Sequence, residues 1–129
     1  MSTHIHLFDP GATVTFTAAA DVAAGQLLAV AGNRSVSPAA AKSAAWIGAA
    51  AFDAKAGEKV AVLRGGVQRL TASGTVAAGT LVVAAAGGKV AALAPVTTPT
   101  PADVADTRAV VGIALTGGTD VPVEIALDR

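Results

Sequence analysis

Apolar and polar positions alternate most cleanly near the end of the chain. Val121, Val123, Ile125 and Leu127 fall on one side of an extended segment, and Pro122, Glu124 and Ala126 on the other. This period of two is that of a half-buried strand. Pro122 has no amide hydrogen, so the strand lies at an edge or is paired on one side there. Shorter apolar segments rich in Val, Leu, Ile and Thr predict further strands at 13–17, 27–31, 46–52, 59–64, 67–71, 81–85, 90–93 and 109–115. Gly32-Asn33, Ala56-Gly57, Gly65-Gly66, Gly87-Gly88 and Gly117-Gly118 mark the turns between them. Two short helical turns are predicted, at Ser37-Pro38-Ala39-Ala40 and Thr100-Pro101-Ala102-Asp103, because each sets a capping hydroxyl before a proline at the first helical position.

The pattern also repeats. The ten residues from Phe16 to Gly25 match those from Leu70 to Gly79 at six positions. A strand beginning Leu27-Leu28 or Leu81-Val82 follows each, then a Ser/Thr-Pro-Ala turn. Next comes an apolar strand with an early glycine (Gly48; Gly112), a glycine turn, and a Val-x-Val strand (Val60 and Val62; Val121 and Val123). The shared order points to a duplicated unit, with quasi-repeats at about 14–67 and 68–129. The second unit carries an insertion, Ala94 to Arg108, whose Thr and Pro content favours an extended surface loop. The predicted fold is therefore mainly β. It is a small barrel- or sandwich-like body spanning 14–129, built from two quasi-repeated β units with one or two short helical turns, and preceded by an extended N-terminal arm, 1–13.

Composition changes the picture chiefly by exclusion. The 129 residues suit one ordinary domain, and at that size no disulfide or metal staple is required. There is no cysteine, which rules out disulfides and thiolate metal sites. Alanine is abundant, but placed in strands it keeps the core thin rather than building helix. Nine basic and nine acidic residues cancel, and the basic ones are scattered. Nucleic-acid binding needs clustered positive charge, so no nucleic-acid partner is expected. No apolar stretch approaches the roughly 20 residues of a membrane span. Met1–Pro10 lacks a basic region followed by an apolar run, so no signal peptide is expected.

Candidate chemistry is sparse. Tyrosine is absent, and the two histidines, His4 and His6, stand in the arm with only Asp9 as a further donor nearby. No cofactor or metal is expected from them. The Gly-Gly pairs lack the spacing of phosphate-binding loops. Asp53, Glu58, Asp103, Asp106, Asp120 and Glu124 read as surface charge. Trp46 is a core anchor or, as the single tryptophan, an interface anchor. A lipoyl-type carrier would need a lysine at a hairpin tip beside methionine, and Lys55, Lys59 and Lys89 have no such neighbour. No enzyme activity is expected.

A resemblance gives these negatives a direction. Ala78-Gly79-Thr80-Leu81-Val82, Gly88-Lys89-Val90-Ala91, Ala109-Val110-Val111-Gly112-Ile113-Ala114-Leu115 and Val121-Pro122-Val123-Glu124-Ile125 resemble lambda-type phage head decoration proteins. The earlier stretch Val22-Ala23-Ala24-Gly25-Gln26-Leu27-Leu28-Ala29-Val30, with Ile47-Gly48-Ala49-Ala50, resembles a broader group of capsid cement proteins. Together these cover about residues 12–127; the doubled unit and the 94–108 insertion depart from the lambda-type pattern. The resemblance implies a virion protein on the outer capsid surface, assembled in the host cytoplasm. It would be a homotrimer on the lattice, bind the major capsid protein and tie neighbouring subunits together. His4, Ile5, His6, Leu7 and Phe8 are the candidate capsid-binding residues of the arm, with Leu7 and Phe8 as apolar anchors; an arm can order by adding a strand to a sheet edge. The alternative is a non-catalytic β-rich module that binds a glycan or another phage structural protein.

Overall fold

The computed structural model describes residues 12–95 and 98–128. The first half is a closed five-stranded barrel of β1 (Thr13–Ala18), β2 (Leu27–Gly32), β3 (Ser35–Pro38), β4 (Trp46–Ala50) and β5 (Lys59–Leu63), in the order β1-β3-β2-β4-β5. Alternation builds its interior. Val14, Phe16 and Ala18 of β1 point inward with Val60 and Val62 of β5, and Val14 lies opposite Val62 and Phe16 opposite Val60. Leu28, Val36 and Ala50 complete the filling. A five-stranded barrel is narrow, and small residues at Ala18, Gly48 and Ala50 let it close. A Cβ on Gly48 would press on the Leu63 carbonyl and come within 2.9 Å of a Val62 methyl.

The second half contains β6 (Val67–Thr71), β7 (Thr75–Val76), β8 (Leu81–Ala85), β9 (Lys89–Ala92), helix α1 (Pro101–Arg108), β10 (Val110–Ala114), β11 (Gly118–Thr119) and β12 (Pro122–Leu127). Its main sheet runs β6-β12-β10-β8-β9, and β7 pairs with β11. The order of partners is that of the barrel, with β6, β8, β9, β10 and β12 standing where β1, β2, β3, β4 and β5 stand. Details agree as well. Gly25 donates to the Ala50 carbonyl at 2.9 Å and Gly79 to the Ala114 carbonyl at 2.7 Å. Both glycines have positive φ, 81° and 84°, which explains why the repeated motif ends in glycine. The halves differ in closure. β1 and β3 are parallel neighbours at Thr17–Ser35 and Ala18–Val36, whereas β6 and β9 meet only at the Ala72–Val90 bridge.

One core joins the halves. The inner face of the second sheet, with Leu70, Val82, Val90, Val111, Val123 and Ile125, packs on the outside of barrel strands β2 and β4 at Leu27, Ala29, Trp46 and Ala49. The mainly β class and the barrel agree with the sequence reading. Several local expectations do not. Ser37 and Pro38 end strand β3 instead of starting a helical turn: Pro38 pairs with Leu28 of β2 and lies beyond the short β1–β3 contact, so its missing amide hydrogen costs no ladder bond. The 94–108 insertion is helical from Pro101 onward, because Asp103 accepts from the Thr100 amide (2.6 Å) and hydroxyl (3.1 Å) and fixes the first turn. Strand β4 stops at Ala50, leaving Phe52 exposed. Val121 is exposed in the turn before β12 and does not join Val123 and Ile125. Gly118 belongs to a strand, not to a turn.

Candidate functional site

The chemistry-bearing side chains are mostly engaged in holding turns. Asp53 accepts from the Ala24 amide (2.8 Å), Asp21 from Ala56 (3.0 Å), Glu58 from Lys55 (2.7 Å) and Asp120 from Gly74 (2.8 Å). Asp106 pairs with Lys42 at 3.1 Å and ties α1 to the β3–β4 connection. Asp21, Asp53, Lys55 and Glu58 line an open hollow of about 330 Å³, but its carboxylates already serve these backbone donors. Among the described residues no three His, Cys, Asp or Glu side chains converge as a metal site requires, and no helix is long and apolar enough to cross a membrane. Asp53, Glu58, Asp106 and Asp120 read as plain surface charge in the sequence; the signal that could have found one of these roles is Lys55-Ala-Gly-Glu58, whose i, i+3 spacing suits a turn closed by its own carboxylate.

His4, Ile5, His6, Leu7 and Phe8 lie outside the described residues. Trp46 is 1% exposed, between the barrel and the second sheet. The ring is therefore a core anchor and offers a partner no surface in this fold.

What sequence reasoning missed is an apolar row on the outer face of the second sheet. Val67 on β6 lies opposite Ala126 on β12, Ala126 opposite Ile113 on β10, and Ile113 opposite Leu81 on β8. Leu93, just past β9, donates its amide to the Leu81 carbonyl at 2.9 Å and completes the row. Val67, Leu81 and Ile113 are 55%, 46% and 39% exposed. Beside the row, Arg69 lies opposite Glu124, whose carbonyl takes the amide of exposed Leu115. Among the described residues, the other exposed large apolar residues belong to separate elements: Val30 on β2, Phe52 after β4, Val104 on α1 and Val121 before β12.

The corresponding row of the barrel has the opposite fate. There Thr13, Leu63, Ala49, Leu27 and Ala39 follow one another across the strands. Leu27, Ala49 and Ala39 are 0%, 2% and 1% exposed, because the second half covers them. Leu27 and Leu81 thus occupy the same place in their units, one in the core and one at the surface.

A rigid β body with side chains committed to turns and one apolar outer face fits a structural protein of the contact-making kind. The family profile described as "Phage cement protein" matches residues 8–126, and the chain belongs to that family. It is a phage structural protein associated with the capsid. Among solved structures, the chain is similar to the head fiber gp8.5 N base of bacteriophage phi29, with a TM-score of 0.65 and 21% identity over 91% of this chain and 93% of that one. That likeness shows a shared fold. A search of curated protein sequences returned no match.

Proposed function

We propose that this protein binds the outer surface of the expanded phage capsid and stabilises the head by tying neighbouring major capsid protein subunits together. Membership of the cement family across residues 8–126 carries this reading. On the lattice the chain works as a homotrimer, assembled in the host cytoplasm, and its two halves are repeats of one ancestral unit. The matched strand orders support the last point. Such a role needs many weak contacts repeated by symmetry, because each contact adds avidity to its neighbours. The segment from His4 to Phe8 serves as a clamp on the shell, with Leu7 and Phe8 as anchors.

Co-sedimentation tests this directly. The purified chain is mixed with expanded, undecorated shells of the phage that encodes it, and with unexpanded procapsids. Saturable binding to expanded shells at a simple ratio to the capsid subunit is expected, and shells so decorated should resist higher temperature before rupture. Deleting residues 1–11 should weaken binding and leave the melting of the body unchanged, since Ala12 keeps the carbonyl that accepts the Arg64 amide. Absence of binding to either shell refutes the reading, and unchanged binding after the deletion refutes the clamp.

A further inference from the structure

We infer that the outer face of the second sheet, centred on Leu81 and Ile113, is the surface that the body of this protein presses against the capsid shell. The inference rests on the capsid-binding reading and adds to it the place of contact. Three observations carry it.

The first is the internal precedent. The same row in the barrel half is a protein-binding surface already in use, since the second half covers Leu27, Ala49 and Ala39. A row with this backbone geometry accommodates a packed protein face. In the second half, among the described residues, it is uncovered: Leu81 matches Leu27, Ile113 stands where the barrel has Ala49, and Ala126 where it has Leu63.

The second is size and symmetry. Val67, Leu81, Ile113 and Leu115 together expose on the order of 300 Å² of side chain, the scale of a functional patch on a monomer. A stable pair of free proteins buries about 800 Å² on each partner. The row is thus too small to hold a copy of the chain in solution and large enough to matter when repeated over a lattice. A ring of three copies joined through it would also need a second, different apolar patch on each chain, and among the described residues the other exposed large apolar side chains belong to separate elements, Val30 to β2, Phe52 to the segment after β4, Val104 to α1 and Val121 to the turn before β12. The occupant is therefore a shell subunit. It should offer an apolar strip about 19 Å long, four inter-strand spacings, flanked by groups that tolerate the opposite charges of Arg69 and Glu124.

The third is position. The Arg64 amide donates to the Ala12 carbonyl at 2.8 Å, and Val67, three residues beyond Arg64, begins the row. Phe8, the last residue of the proposed clamp, precedes Ala12 by four residues, at most about 14 Å of chain. The proposed clamp and the row thus start from one edge of the molecule and can engage the same region of shell.

The test uses the full chain in three variants. Leu81→Lys with Ile113→Glu puts opposite charges at directly opposed positions, which the sheet accepts, and removes the apolar contact. Leu81→Thr with Ile113→Thr is the milder change, and Phe52→Glu alters an exposed apolar residue elsewhere. Melting is measured for each, then binding to expanded shells. At least tenfold weaker binding is expected for the charged pair, a smaller loss for the threonine pair and wild-type binding for Phe52→Glu. Where the charged pair melts far below wild type, the threonine pair decides. Binding of both row variants within twofold of wild type overturns the inference and leaves the capsid role standing; such binding together with lost self-association in sedimentation velocity would assign the row to a second copy instead. Failure of the unaltered chain to bind shells sinks the broader reading, and the two failures are distinct.

Discussion

Gly112→Ala tests the tight fit of β10 against β12. An added Cβ would collide with the Ala126 carbonyl oxygen and stand 2.9 Å from the carbonyl carbon and 3.2 Å from the Leu127 Cα. All three are backbone atoms, so no side-chain rotation relieves the clash. Restoring ordinary separations of about 3.5 Å means moving β12 outward by roughly 1.5 Å. That displacement strains the pairing at Gly112–Leu127, Ile113–Ala126 and Ala114–Ile125, where each hydrogen bond contributes about 1 kcal/mol. Overpacking against a rigid neighbour costs about 1–3 kcal/mol, and alanine recovers at most about 1 kcal/mol of chain entropy. The net cost is about 2–4 kcal/mol, a large share of the roughly 5–15 kcal/mol that holds a domain folded. At about 3–5 °C per kcal/mol for a chain of this size, the melting temperature should fall by about 6–20 °C. Gly48→Ala should behave alike, since it meets the Leu63 carbonyl in the matching place. Gly74→Ala, at φ 81° with open space around it, should lose only the strain of its backbone, about 1–2 kcal/mol. Calorimetry or circular dichroism reads all three. A loss under 3 °C for Gly112→Ala would show that β12 yields freely and that the close approach is not a constraint.

Trp46→Ala should cost about 3–5 kcal/mol, and the unaltered ring, 1% exposed, should emit blue-shifted fluorescence that acrylamide quenches only after unfolding; strong quenching in the folded protein would contradict its burial. Lys42→Ala should change stability by less than about 1 kcal/mol, because the Lys42 side chain is 62% exposed and exposed ion pairs contribute little; a larger loss on a urea unfolding curve would mean that this link anchors α1.

The strands were legible wherever one face is buried and alternation has something to alternate between, as in β1 and β12. Strand β3 was not, because Ser37-Pro38 satisfies the rules for a helix start as well as those for a strand end. Tertiary pairing with Leu28 decided between them. The helix at Thr100-Pro101 was legible as a start but not in length. The pairs Leu27-Leu28 and Leu81-Val82 announce strands apolar on both faces, which implies cover on both sides. Sequence could not say that the second half covers Leu27 and leaves Leu81 open, since that depends on how the halves dock. For the same reason Trp46 read equally as a core or an interface residue. The candidate site was thus present in the sequence as apolar positions and invisible as a surface.

The shared core between the halves has a mechanical consequence. Force applied to the second sheet passes into the barrel through the packing of Trp46, Leu27 and Ala49 against Leu70, Val82 and Ile125, not through the Gly65-Gly66 link alone. A load that would stretch a tethered pair of domains apart at their linker must here shear a continuous apolar layer. Over the described residues the two halves resist tension as one solid piece, which is what the proposed role on the shell asks of them.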